Sequence, residues 1–454
     1  MSFVPIESFP KRGELRGARA AKNYVRAALW FIIAGTPMAA LPADSSTPAE
    51  PRSAPQITTP LKALVSEALQ NNPEIQAARK EREAAQHRIA PAGAFDDPML
   101  EAGFINLPIN SLRFDREEMT MKMIGLSQRF PYPGKRGLRQ SVATQDAETV
   151  GYGYQETMNR VAREVKTAYF DLGLTLEMTR LVEKNKLILE QFLRLTESRY
   201  EVGLGAQADV LKAQTQLSKM VDELLKLARE RPMIEAELNR MLGRSANLAA
   251  LVPEPPQLRE EALNLESLRE TALAQRPQLL ALQSIVARNQ KALDLARKDY
   301  YPDFDVRMSY GQRDNMPDGT RRSDMVSLTV AINLPVWRET KIDPRVAESL
   351  AMRDQAMNMY QAQRNEVAAK LRQQVAIVEQ NLKSAQLYQT AILPQARLTV
   401  ESALAAYQVN RADILMLLDS QMTIFNYEIG LVTVTANYNK ALAEIDLLTG
   451  KSPD

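Results

Sequence analysis

"YEVGLGAQADVLKAQ", residues 200–214, interrupts a stretch that otherwise reads as helix, and "YQVNRADILMLLDSQ", residues 407–421, repeats it. Tyr200 and Tyr407, Val202 and Val409, Leu211 and Leu418, and Gln214 and Gln421 align without a gap. Gly203 and Gly205 are poor helix residues, and so is Asn410, which stands where Gly203 stands in the first copy. A helical chain that breaks twice at the same place in a repeated motif is turning back on itself. Glycine supplies the backbone freedom for that turn, and asparagine reaches the left-handed region at modest cost. The tips of two long helical hairpins are therefore expected near 203–208 and 410–415.

The repetition extends beyond the tips. Leu64 and Leu268, Ala68 and Ala272, Leu69 and Leu273, and Pro73 and Pro277 match at a constant offset of 204. Pro98 with Pro302 and Pro131 with Pro335 keep that offset, and the tip motifs stand 207 apart. The chain is thus an internal duplication with units of about two hundred residues, not a short solenoid period. The first repeat is assigned to residues 61–260 and the second to 261–454. From about residue 137 to 201 there is no proline, and Leu174, Leu181, Ile188, Leu195 and Val202 recur every seven residues. Val210, Leu217 and Leu224, then Leu417, Ile424 and Leu431, do the same, which marks coiled-coil packing.

Between the matched prolines the period changes to two. "DFDVRMSYG" (303–311) places Phe304, Val306, Met308 and Tyr310 opposite Asp303, Asp305, Arg307 and Ser309; "VSLTVAINL" (326–334) alternates likewise. Strands are expected at about 302–311 and 324–335, and, less cleanly patterned, at 98–108 and 119–131. Strands of about 9–11 residues suit a tilted crossing of a bilayer. Aromatic residues cluster at one end of them: Phe95, Phe130, Tyr132, Tyr300, Tyr301 and Trp337, a placement that fits an interfacial girdle. Pro98, Pro131, Pro133, Pro302 and Pro335 mark the junctions between strand and helix, where a rigid bend without an N–H donor is useful. Four strands are too few to close a barrel alone, but several subunits giving four each leave no open edge in lipid.

Composition narrows the chemistry. The chain of 454 residues has no cysteine and one histidine. No disulfide framework, zinc finger or thiol nucleophile can be built from it, and His87 lies in a charged helical run with no evident partners. The formal charge of +2 is concentrated at the start: residues 1–43 carry six basic side chains against two acidic ones, leaving −2 on the rest. No basic face for nucleic acid remains on the body of the protein. That basic start runs into "AALWFIIAGTPMAALPA" (27–43), which has the parts of a secretory signal peptide ending near Ala40 or Ala43. A proline-rich extended arm follows at 44–60.

Taken together, tandem halves each with a helix, two strands and a long hairpin tipped by Y-x-V-G-x-x-x-x-x-D-V-L-x-A-Q resemble the TolC family of outer-membrane efflux proteins. "LVSEALQNNPEI", "QRFPYPGKRG" and "AILPQA" extend the resemblance from about Leu61 to Gly450, and "PYPGKRGLR" is similar to the heavy-metal branch of the family. The resemblance implies a mainly α chain with a membrane β-barrel portion. Three protomers of four strands would form one 12-stranded barrel in the outer membrane, and their hairpins a periplasmic α-barrel. It also implies a homotrimer in outer-membrane lipid, docked through its tip to a periplasmic adaptor and an inner-membrane pump of the RND type, with no cofactor and no catalysis. By motif position Asp209 and Asp419 match the family's tip aspartates, while Met416 stands where a further aspartate belongs; Gly203, Gly205 and Asn410 complete the tip.

Three further points stay open on the sequence. A periplasmic adaptor or scaffold would carry helical hairpins but needs a small β-domain, and no run of short strands flanks these helices. Asp419 is either part of a narrow acidic aperture or an ordinary helix-face carboxylate. Met99, Met119, Met121, Met123 and Met416 are candidate soft ligands for copper or silver, although methionine more often fills gaps or contacts lipid.

Overall fold

The computed structural model describes residues 59–245, 252–255, 257–258 and 262–451; the segment expected as a signal peptide, 1–43, and nearly all of the expected arm, 44–60, fall outside them. Nine α-helices and four strands follow in two similar halves among the described residues. The first half holds α1 (Leu61–Asn71), α2 (Pro73–Ala92), β1 (Met99–Ile105), β2 (Met121–Phe130), α3 (Lys135–Glu201) and α4 (Gln207–Met241). The second holds α5 (Leu265–Gln275), α6 (Pro277–Arg297), β3 (Phe304–Gln312), β4 (Met325–Ile332), α7 (Asp343–Leu387), α8 (Leu393–Gln408) and α9 (Ile414–Thr449). At 67 residues α3 is roughly 100 Å long at 1.5 Å per residue.

All four strands form one antiparallel sheet in the order β1-β2-β3-β4. The helices follow the same order: α2 lies on α3, α3 on α6, and α6 on α7. Farther from the sheet, α4 lies on α3, α3 on α9, and α9 on α7 and α8. So α3 and the α7–α8 rod run the full length, with α2 and α6 as neighbours near the sheet and α4 and α9 beyond them. No helix among the described residues is long and apolar enough to cross a membrane.

Two joints, one per half, hold each returning helix against the junction of the first two helices of its own half. Gly243 (φ +69°) ends α4, and a Cβ there would meet the Asn71 carbonyl oxygen at 2.6 Å. Gly450 (φ +72°) ends α9, and a Cβ there would meet the Arg276 Cα at 2.7 Å. Both the conformation and the close approach demand glycine. Beside the first joint, Asn72 accepts from the Glu74 and Ile75 amides to cap α2 and donates to the Met241 carbonyl (2.8 Å).

The apolar core is divided along the helices. One cluster centres on Leu172 and Leu238 near the first joint; a second on Leu371 and Tyr438 near the second; a third, nearer the tips, joins Leu189 and Leu227 to Leu417 and Leu418. In α3 the seam that buries most deeply contains Thr175, Val182, Leu189 and Thr196, one position on from the leucine heptad expected at 174, 181, 188 and 195. Leu181 shares that burial, whereas Val202 stands exposed at the turn. Asn185 lies in this seam 2% exposed, accepts from the Gln421 amide (2.8 Å) and donates to the Met220 sulfur. A buried polar pair between the two hairpins fixes their register, since a slip leaves both amides unpaired.

One rod is not regular. Between α7 and α8 the helix widens into a π turn, Tyr388–Ile392, just before Pro394. The proline has no N–H for the Thr390 carbonyl and its ring crowds that turn, so the helix opens there. The Tyr388 ring packs on Gly430 of α9, so that a Cβ there would come within 3.2 Å of it.

Candidate functional site

Strand pairing sorts the sheet into two unlike faces. On one, Leu100, Leu126, Met308 and Leu328 form a continuous row across all four strands, flanked by Ile124, Tyr310, Val306, Val326 and Val330. All but the half-buried Val306 are exposed; Leu328 is 71% accessible. On the other face the equivalent row is Glu101, Gly125, Ser309 and Ser327, and the Arg307 guanidinium pairs with Glu101 at 3.1 Å. Both outer strands leave an edge unpaired, and β4 is exposed on both faces. A sheet that is oily on one side and carries an ion pair on the other fits lipid outside and water inside. Its open edges must pair before lipid can surround them.

At the ends of the strands nearest the helices a knot of charges ties β2, β3, β4 and α7 together. Lys135 is 4% exposed, and its Nζ donates to Asp303 Oδ1 (2.9 Å) and lies 3.4 Å from Asp299. Asp303 also accepts from the Tyr132 amide (2.8 Å) and faces Arg129; its own N–H donates to Asn333. Asp299 pairs with Arg345 (2.9 Å), and the Tyr300 hydroxyl donates to Asp343. Burial on its own pushes the Asp303 carboxyl up, but the Tyr132 amide, Lys135 and Arg129 together hold it below its ordinary 3.8. A folded pKa below the unfolded one stabilises above about pH 4, and that share is lost as the pH falls through the folded value.

Lys135→Met leaves buried Asp303 with the Tyr132 amide and a single cation, Arg129. We expect it to lower stability by about 3–5 kcal/mol, read as a lower melting temperature of the purified protein. Lys135→Met with Asp303→Leu is expected to recover most of that loss, and an unchanged melt in the single variant would refute the role given to the pair.

The aromatic residues at this level divide. Phe130, Tyr301 and Trp337 are exposed, Trp337 by 73%. Tyr132 stacks on Tyr301 at 4.5 Å with Lys298 beside both rings, and Tyr300 is engaged with Asp343. Pro131 is buried at the end of β2, Pro133 is exposed in the turn into α3, and Pro98, Pro302 and Pro335 flank β1, β3 and β4.

The two tips share one geometry. The Gly203 amide donates to the Tyr200 carbonyl and the Leu204 amide to that of Arg199; the Asn410 and Arg411 amides donate to Tyr407 and Ala406 in the same pattern. Gly203 has φ +75° and Asn410 +64°, the left-handed residue this closure needs. A Cβ on Gly205 would come within 3.2 Å of the Tyr200 nitrogen. Arg199, which the motif alone does not single out, links the tips: its guanidinium lies over the Tyr407 ring (4.6 Å) and donates to the Tyr407 carbonyl and the Asn410 side chain.

Asp209, in the first turn of α4, is half-buried on the Tyr407 side of the tip. Asp413 is also on that side and accepts from the Leu415 amide to cap α9. Its placement before "ILMLL" is the helix-start signal that could have found it. Met416, whose amide donates to the Asp413 carbonyl (3.1 Å), and Asp419 are exposed on α9, where Asp419 lines a groove of about 350 Å³ with Lys212 and Gln216 of α4. No cluster of acidic or histidine side chains suited to a metal ion occurs among the described residues.

Comparison with known proteins agrees with this arrangement. The profile of the family described as outer membrane efflux protein matches residues 64–244 and 268–451, one stretch in each half. The cobalt-zinc-cadmium resistance protein CzcC of Cupriavidus metallidurans is 22% identical over 415 residues, covering 90% of this chain and 93% of that protein. The outer membrane protein TolC of Vibrio cholerae is 23% identical over 382 residues, 81% of this chain and 85% of that one. Among solved structures, the outer membrane protein VceC of Vibrio cholerae superposes with a TM-score of 0.75 at 18% identity, over 87% of this chain and 97% of its own.

Proposed function

Because the chain belongs to the outer membrane efflux protein family, we propose that it is the passive exit duct of a tripartite efflux assembly, carrying heavy-metal cations out of the cell. It resides in the outer membrane of a Gram-negative cell, with its helices in the periplasm. The observation that carries the duct reading is the sheet, with its lipid-compatible face, its polar face and its two open edges. Three copies pair β4 of one with β1 of the next, closing twelve strands around water. Phe130, Tyr301 and Trp337 then sit at the membrane's inner interface, where aromatic rings are favoured. The tips meet a periplasmic adaptor, and an inner-membrane pump of the RND type supplies the energy. Transport down such a duct needs no reaction and no cofactor.

Heavy-metal cargo is supported by the relative named for cobalt, zinc and cadmium resistance. A deletion strain grown with and without the restored gene tests it. Sensitivity confined to metal salts supports the metal reading; sensitivity confined to dyes, detergents and antibiotics removes it. The duct itself is tested by reconstitution: the purified protein should conduct in planar bilayers and stay in outer membranes through a carbonate wash.

Asp419 is assigned to the aperture, where three carboxylates, with Met416 one turn before each, face the axis. Converging like charges attract cations and hold them. Asp419→Ala is therefore expected to weaken block by divalent cations severalfold and to raise single-channel conductance. An unaltered trace would place this side chain outside the aperture.

A further inference from the structure

Three methionines meet on the polar face of the sheet, near the end that carries the β1–β2 and β3–β4 loops. Met123 stands directly opposite Gly311, and Gly311 directly opposite Met325, so two thioethers flank a residue without a side chain. Met121, two residues from Met123 on the same face, lays its Sδ over Gly311, in the place a Cβ would take. On its other side Met123 faces Gly103, whose own Cβ position is open space. The notch is therefore both floored by glycine and roofed by sulfur. Met121 and Met123 are half-buried, and Met325 is 39% exposed.

Methionine as lipid contact belongs on the opposite face, where Val, Leu and Ile already serve. Here its neighbours are Ser309, Ser327 and the Glu101–Arg307 pair. We propose that Met121, Met123 and Met325 form a thioether site for a soft monovalent metal ion, Cu(I) or Ag(I), on the wall of the lumen. This rests on the reading of the sheet as the duct wall. Thioethers are soft, uncharged ligands: they take d¹⁰ monovalent ions and compete poorly for Zn(II) or Co(II), which prefer nitrogen and oxygen. Because the ligands are neutral, the bound ion keeps its charge and can leave again, as passage through a channel requires. Thioethers do not titrate, so binding should be flat across the neutral pH range.

The test uses the full-length protein purified in detergent and dialysed to equilibrium against silver nitrate in chloride-free buffer, with bound silver counted by elemental mass spectrometry. The wild type should hold one more silver ion per protomer than Met121→Leu/Met123→Leu/Met325→Leu, and a tenfold excess of zinc should not displace it. Met308→Leu, on the lipid face, should bind as the wild type does. Met325→Leu alone, on an edge strand where repacking is easy, should weaken silver binding at least tenfold and guards against misfolding of the triple variant. Equal retention by all of them, or ready displacement by zinc, overturns the site. Conductance of the same samples in bilayers tests the duct separately: a conducting wild type without the extra silver sinks the site and keeps the duct.

Discussion

Leu328→Arg should empty the outer membrane of this protein. Leu328 is the β4 end of the row Leu100–Leu126–Met308–Leu328 and lies midway along its strand. A guanidinium at the bilayer midplane on the lipid face of a barrel costs about 2–4 kcal/mol, and three symmetric copies make that roughly 6–12 kcal/mol for a trimer. That sum is comparable with the whole stability of an ordinary folded domain. Ser327→Arg, one residue away, points to the opposite face beside Ser309 and should be tolerated, because water hydrates the new charge there. The readout is the amount of trimer left in carbonate-washed outer membranes. Should Ser327→Arg be lost and Leu328→Arg retained, the faces have been assigned the wrong way round and the methionine site would face lipid.

Arg199→Ala should make the tunnel leak. Arg199 belongs to the first hairpin, yet it stacks on Tyr407 and donates to two groups of the second. A partly exposed cation–π contact with two charge-assisted hydrogen bonds is worth about 2 kcal/mol after allowance for solvent. If those contacts form only while the tips are together, their loss shifts the closed-to-open ratio by roughly thirtyfold. The expected signs are a higher mean conductance and entry of large antibiotics that the outer membrane normally excludes. Arg199→Lys keeps the charge but not the planar fork and should give an intermediate phenotype. A variant that stays as tight as wild type would show that the tips are held by other contacts.

Much of this arrangement was legible in the residues because it is local or periodic. The duplicated tips, the two-residue alternation of β3 and β4 and the absence of proline along α3 each need only a few neighbouring positions to be recognised. What escaped depends on residues that meet only after folding. Gly243 reads as an unremarkable glycine until Asn71 arrives 2.6 Å from its missing Cβ. Lys135 reads as a solvated helix-start lysine, yet a partner 168 residues away makes it buried. The alternating Met121 and Met123 were visible, whereas Met325 joins them only through the pairing of β3 with β4. The α3 seam was misplaced by one residue because its deepest positions include Thr175, Asn185 and Thr196, which no apolar heptad count selects. Arg199 escaped because the turn motif defines its own backbone closure and says nothing of which neighbouring hairpin it touches.

Bending stiffness is not shared equally by the two hairpins. The first has a rod of 67 unbroken helical residues, whereas the second has a weak section at Tyr388–Ile392 with only the 16 residues of α8 beyond it. At 1.5 Å per residue that outer arm is about 24 Å long, so a flexure of 10° at the weak section, shared with the α9 packed on it, carries its end about 4 Å sideways. A ring built from three such chains has six staves that look alike, but only alternate ones yield. Under load it widens as a threefold iris, not a sixfold one, with the stiff staves serving as the frame against which the others swing.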